Sequence, residues 1–171
     1  MGEFLELKAE DNNIFSAYIS QPSEKPIAGL VILQEIFGVN NHIKEVTDLY
    51  ASKGYLSIAP ALFDRIENNI ELEYDENGIN KGRKLKELCD KSTLKDIDAA
   101  ISVVSSAGKV GIIGYCWGGS LSWRMACQSN DLSASVCYYG GDIPKLKNLK
   151  PKCGVLAHFG ELDQGIPIAV S

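Results

Sequence analysis

Val110-Gly111-Ile112-Ile113-Gly114-Tyr115-Cys116-Trp117-Gly118-Gly119 is the stretch whose reading decides the fold. Its first half is a short apolar run rich in β-branched residues, as expected of a strand buried on both faces. Ser120 to Gln128 beyond it reads as a helix. Between them lies G-x-S-x-G, the nucleophile-elbow pattern, with cysteine in the serine position. Such a turn is sharp and strained, and only small residues two positions either side let strand and helix approach. The central side chain then projects at the carboxyl end of a sheet, over a helix N-terminus. The free N–H groups and positive potential there favour a thiolate. A free cysteine, with a pKa of about 8.5, is otherwise only slightly ionised at neutral pH. The plainer alternative is a tight glycine turn with Cys116 as buried filler.

Working outward from the elbow, the rest of the chain supplies a sheet to hold it. Phe4-Leu5-Glu6-Leu7 and Phe15-Ser16-Ala17-Tyr18-Ile19 alternate, with Asp11-Asn12-Asn13 between them, and predict an antiparallel hairpin. Ala28 to Leu33 predicts a buried strand. Asn40 or Asn41 caps a helix to about Lys53, with Ile43, Val46, Leu49 and Tyr50 on one face and Gly54 ending it. Tyr55 to Ala59 is the next strand, stopped by Pro60. Residues 64 to 80 are charged and turn-rich. Helices are expected near 80 to 90 and from Thr93 to Ser105, where Leu94, Ile97, Ala100, Ile101 and Val104 share a face. Ser133 to Tyr139 and Gly154 to Phe159 predict two more strands. The alternation of strand and helix means an α/β fold, a mostly parallel sheet with helices on both faces, in a single domain over residues 1–171.

Composition sets limits on partners. The chain is 45% hydrophobic and 23% charged, ordinary for a globular protein, and its net charge of −5 with no clustered basic run argues against nucleic acid or an anionic membrane. No apolar stretch is long enough to span a bilayer, and the N-terminus lacks a signal-peptide pattern. Cys89, Cys116, Cys127, Cys137 and Cys153 show no C-x-x-C spacing, so neither disulfides nor a metal is expected, and the chain reads as cytoplasmic. No cofactor motif is present. A small-molecule substrate is the expected partner, with the chain a monomer or weak homo-oligomer.

Several stretches in register carry a resemblance. Gly114-Tyr115-Cys116-Trp117-Gly118-Gly119, Gln34-Glu35-Ile36-Phe37-Gly38-Val39-Asn40, Gly54-Tyr55 to Ala59-Pro60-Ala61-Leu62-Phe63, Tyr138-Tyr139-Gly140 and His158-Phe159-Gly160 with Asp163 resemble the dienelactone hydrolases (carboxymethylenebutenolidases) of the α/β-hydrolase fold. The resemblance implies that Cys116 is the nucleophile, Asp163 the triad acid and Glu35 a carboxylate beside the thiol. It further implies an oxyanion hole from the backbone N–H groups of Ile36 and Trp117. The activity implied is hydrolysis of small carboxylic esters or lactones through an acyl-enzyme. Taken singly, Glu35 and Asp163 would read as solvated or turn-forming carboxylates. The family also binds a substrate carboxylate with arginine, for which Arg65, Arg83 and Arg124 are candidates and Arg83 is preferred.

The family's triad histidine follows one further strand beyond the acid. This sequence has two histidines, His42 and His158, and neither is at that position. The expectation is therefore a chain lacking the last strand, the closing helix and the base. The ending Gly165-Ile166-Pro167-Ile168-Ala169-Val170-Ser171 does not resemble a helical finish, and truncation is the preferred account. The alternatives are a half-domain completed by a second polypeptide, and a catalytically impaired remnant or binding module. Without a further strand, Gly154–Phe159 is expected at a sheet edge.

Overall fold

The opening hairpin forms where the alternation puts it. In the computed structural model, which describes residues 1–167, strand β1 (Glu3–Lys8) pairs antiparallel with β2 (Ile14–Ser20). Asn12 turns the chain at φ 68°, a left-handed conformation that asparagine tolerates better than most residues. The other strands are β3 (Ala28–Leu33), β4 (Tyr55–Pro60), β5 (Val110–Tyr115), β6 (Leu132–Tyr138) and β7 (Gly154–His158). They form one sheet in the order β1-β2-β4-β3-β5-β6-β7. The β2–β4 pair is antiparallel, and all pairings from β4 through β7 are parallel.

Side chains of β3 and β5 alternate between two cores. Val31, Leu33, Val110 and Ile112 enter one, and Leu30, Ile32 and Ile113 the other. The second core lies under helix α1 (Asn41–Ser52) and takes Ile43 from it. The first is covered by α2 (Glu76–Cys89), α3 (Thr93–Val104) and α4 (Trp117–Gln128), which contribute Leu85, Ile97, Ile101, Leu121 and Met125. Helices thus lie on both faces of a mostly parallel sheet, as expected.

Several details differ from the sequence reading, each for a local reason. In α1 the Asn40 side chain caps the Ile43 N–H at 3.2 Å, but the buried row is Ile43, Thr47 and Ala51, while Leu49 is 54% exposed. Thr47 can sit inside because its hydroxyl donates to the Ile43 carbonyl at 2.7 Å. Helix α2 starts at Glu76, earlier than expected, because Asp75 caps it through the Gly78 N–H at 2.7 Å. Helix α4 starts directly after Cys116 rather than at Ser120. Strand β4 keeps Pro60, which lies at its last position.

Among the described residues β1 and β7 are the two edge strands, and Leu156 on β7 is 55% exposed. Residues 168–171 of the unusual ending lie outside the described residues. No described helix is long and apolar enough to cross a membrane.

Candidate active site

The elbow is built by close packing around backbone. Cys116 sits at φ 54° and ψ −115°, a conformation disfavoured for a residue with a side chain. Its N–H donates to the Tyr138 carbonyl on β6 at 3.0 Å, and its carbonyl accepts from the Ser120 N–H at 3.2 Å. A Cβ on Gly118 would lie 2.6 Å from the carbonyl oxygens of both Leu33 and Gln34, and one on Gly114 would collide with the Gly118 backbone. The spacing of these glycines is therefore required by contact between β3, β5 and the first turn of α4.

The turn aims Cys116 into a cavity of about 390 Å³ at the carboxyl end of the sheet. Ile36, Trp117, Tyr139 and Asp163 line it, with Arg83 and Lys86 from α2. Four of the five residues expected at the site thus share one pocket. Glu35 does not line it, yet its charge reaches Cys116 and helps hold the thiol protonated.

Cys116 departs from the expected thiolate. Burial pushes the thiol above its ordinary pKa, and the charges of Glu35 and Asp142 push the same way. The Trp117 backbone N–H and the Lys86 ammonium oppose them without prevailing. Desolvation penalises the charged form most where water is excluded, and here that outweighs the helix terminus. The resting group is a thiol.

Glu35 follows β3 in a loop braced by the segment before α2. The Tyr74 hydroxyl donates to Glu35 Oε2 at 2.8 Å and accepts from Asn40 Nδ2 at 3.2 Å, and its ring packs 4.3 Å from that of Phe37. Burial raises the Tyr74 phenol pKa, and so does Glu35. Asp163, beyond β7, accepts from the backbone N–H groups of Gly165 at 2.8 Å and Ile166 at 3.2 Å. It shapes a turn, as its local sequence suggested, and lines the pocket as well.

Of the three arginines, Arg83 alone reaches the cavity. Arg65 binds Asp96 at 2.6 Å and Asp11 at 2.9 Å, and Arg124 binds Asp90 at 2.8 Å. Neither histidine lines the pocket. His158 stacks on Tyr138 with ring centroids 4.6 Å apart, and His42 packs edge-on to Tyr115 at 5.9 Å. Among the described residues no group of His, Cys, Asp and Glu is arranged to hold a metal ion.

Sequence reasoning missed three groups here. Tyr139, at φ 41°, lines the cavity, and burial with the nearby charges of Glu35 and Cys116 raises its phenol to about 12. The quoted Tyr138-Tyr139-Gly140 stretch was the available signal for it. Tyr74 lies in a segment without periodicity and gave none. Asp142 pairs with Lys86 at 3.0 Å across the cavity wall; burial alone would raise its pKa, but Lys86 and Lys145 together hold it low.

Residues 15–170 match the sequence profile of the dienelactone hydrolase family. A carboxymethylenebutenolidase of Pseudomonas putida is 32% identical over 173 residues, covering 96% of this chain and 73% of that protein. A candidate carboxymethylenebutenolidase of Methylorubrum extorquens is 33% identical over 174 residues, covering 92% of this chain and 59% of that protein. The chain thus spans about three fifths of the length of that relative. The crystal structure of a candidate dienelactone hydrolase from Klebsiella pneumoniae superposes with a TM-score of 0.81 at 26% identity, covering 99% of this chain and 77% of that one.

Proposed function

Because the chain belongs to the dienelactone hydrolase family, we propose that it hydrolyses small carboxylic esters or lactones with Cys116 as nucleophile, within a single α/β domain. The observation that carries this reading is the strained Cys116 elbow opening into a cavity lined also by Ile36, Trp117 and Asp163. Since the resting group is a thiol, its proton must leave before attack, and Glu35 is the carboxylate whose charge reaches it. The sulfur then bonds to the carbonyl carbon. The oxyanion takes hydrogen bonds from the Ile36 and Trp117 N–H groups, the latter a first-turn donor of α4 with no intrahelical acceptor. Collapse breaks the carbon–oxygen bond, and the leaving oxygen recovers the proton from Glu35. Water finally cleaves the thioester, returning the thiol and releasing the acid.

Hydrolysis of the thioester calls for a base that neither His42 nor His158 is placed to supply. We assign that role to a histidine that is not among the 171 residues of this sequence, oriented by Asp163. Arg83 on the cavity wall fits a substrate that carries a carboxylate, bound in bidentate fashion. The only partner in this reading is the small-molecule substrate, and cytoplasmic residence is supported by the five free cysteines.

A second reading, a binding module that keeps the pocket without turnover, draws on the raised thiol of Cys116. Release of p-nitrophenol from p-nitrophenyl acetate separates the two. The hydrolase reading predicts a rapid burst followed by slow turnover, both absent in Cys116→Ala. Equal release by both proteins would leave the binding module standing.

A further inference from the structure

Asp90 joins the two helices that form the walls of the cavity. It follows the last residue of α2, and its backbone N–H donates to the Lys86 carbonyl at 2.9 Å. Both side-chain oxygens are engaged by α4. Oδ1 accepts from the Trp117 indole Nε1 at 2.8 Å, and Oδ2 accepts from Arg124 Nη1 at 2.8 Å. Trp117 and Arg124 are seven residues apart, close to two turns, so they present to the same side of the helix. One carboxylate therefore grips α4 at two points along its length. From α2 the same carboxylate is continuous with Arg83 and Lys86, which also line the cavity.

Trp117 is an unusual residue to be gripped in this way. It is the first residue of α4 and follows the nucleophile directly. Its ring is 2% exposed and stacks on Phe63 with centroids 5.4 Å apart and planes 14° from parallel. Phe63 holds the ring face and Asp90 holds its edge, so the side chain has one orientation. The Trp117 N–H has no intrahelical acceptor and shares a planar peptide with the Cys116 carbonyl, which accepts from the Ser120 N–H at 3.2 Å, so its direction follows the placement of the first turn of α4. Holding the indole at its edge and its face holds that turn in place, and with it the N–H beside the sulfur.

We propose that Asp90 is a positioning residue for the oxyanion hole, acting through the Trp117 side chain to aim the Trp117 backbone N–H. This rests on the cysteine-hydrolase reading above. Aim matters because a donor helps only where it points at the oxygen that gains charge, and losing such a donor altogether costs on the order of 10²- to 10³-fold in rate. A donor that is loosened and not lost should cost less, roughly tenfold.

The test compares two reactions of the same sulfur. Acylation of Cys116 by p-nitrophenyl acetate passes through an oxyanion, and alkylation by iodoacetamide does not. Both are followed by intact-mass spectrometry with peptide mapping. Asp90→Ala is expected to slow acylation roughly tenfold while alkylation changes less than about twofold. Trp117→Phe, which keeps the backbone N–H but removes the indole donor, is expected to do the same, and the double variant to lose no more than either single one. Asp90→Asn keeps an oxygen that can accept from the indole and gives up the ion pair with Arg124, so acylation should be largely retained. If Asp90→Ala fails to fold, this Asn variant and Trp117→Phe carry the comparison.

Equal slowing of both reactions, or additive losses in the double variant, would overturn the inference in favour of a merely structural role. Unchanged acylation in Asp90→Ala and Trp117→Phe, with the parent chain acylated at Cys116, would overturn it alone. No acylation of the parent at Cys116 would overturn the hydrolase reading and this inference with it.

Discussion

Arg65→Ala removes the counter-ion of a carboxylate that has no contact with solvent. Asp96 on α3 is 0% exposed, and Arg65 grips it with Nε to Oδ2 at 2.6 Å and Nη2 to Oδ1 at 2.9 Å. The remaining partner is Asn13 Nδ2 at 3.0 Å, a neutral donor for a buried charge. Breaking one side of a buried pair costs about 3–5 kcal/mol. At about 2–4 °C per kcal/mol for a domain of this size, the melting temperature should fall by roughly 6–20 °C at pH 7. Burial already raises the Asp96 pKa, against the pull of Arg65 and Asn13, and loss of Arg65 raises it further. A raised carboxyl pKa gives stability that is fully present below the unfolded value and lost as pH rises through the folded value. The deficit of the variant should therefore narrow as pH falls from 7 towards the ordinary carboxylate range. Thermal unfolding followed by circular dichroism reads both effects. Adding Asp96→Asn should recover part of the loss, since the stranded charge is gone. A loss below about 1 kcal/mol would refute the reasoning, because that is what an exposed pair contributes.

Three further outcomes follow from the site. Glu35→Gln removes the group that takes the Cys116 proton in this reading, so iodoacetamide alkylation and ester acylation of Cys116 should both slow at pH 7.5; faster alkylation would mean Glu35 acts only as a charge that raises the thiol pKa and would contradict the role as proton acceptor. Gly118→Ala places a methyl 2.6 Å from two carbonyl oxygens and should cost about 1–3 kcal/mol in thermal unfolding, together with most of the Cys116 acylation. Arg83→Gln should weaken binding of a carboxylate-bearing aryl ester, read as a raised KM for acylation with the neutral acetate unaffected; equal effects on both esters would remove Arg83 from substrate binding.

What could be read in the sequence was what local pattern controls. The glycines around Cys116 announced a close approach of strand and helix, and Ala28–Leu33 announced burial on both faces. The hairpin register followed from alternation about Asp11-Asn12-Asn13. Other features depended on partners distant in sequence. Arg65 looked like a candidate for substrate until Asp96, 31 residues on, was seen to claim it. Tyr74 reaches Glu35 across 39 residues from a segment without periodicity. The exposed Leu49 was placed inside α1 because spacing counts hydrophobicity, whereas Thr47 took the inner position by satisfying its hydroxyl on the helix backbone. The protonation of Cys116 departs from expectation for a similar reason. Sequence showed the helix terminus beside it but not the burial that overrides it.

The most direct test of the central claim is intact-mass spectrometry of this chain over time with p-nitrophenyl acetate, with peptide mapping and beside Cys116→Ala. The account predicts a single acetyl adduct that accumulates on Cys116, ahead of Cys127 and Cys153, and is absent from the variant. An adduct spread over the other cysteines, or one unchanged in Cys116→Ala, would contradict it.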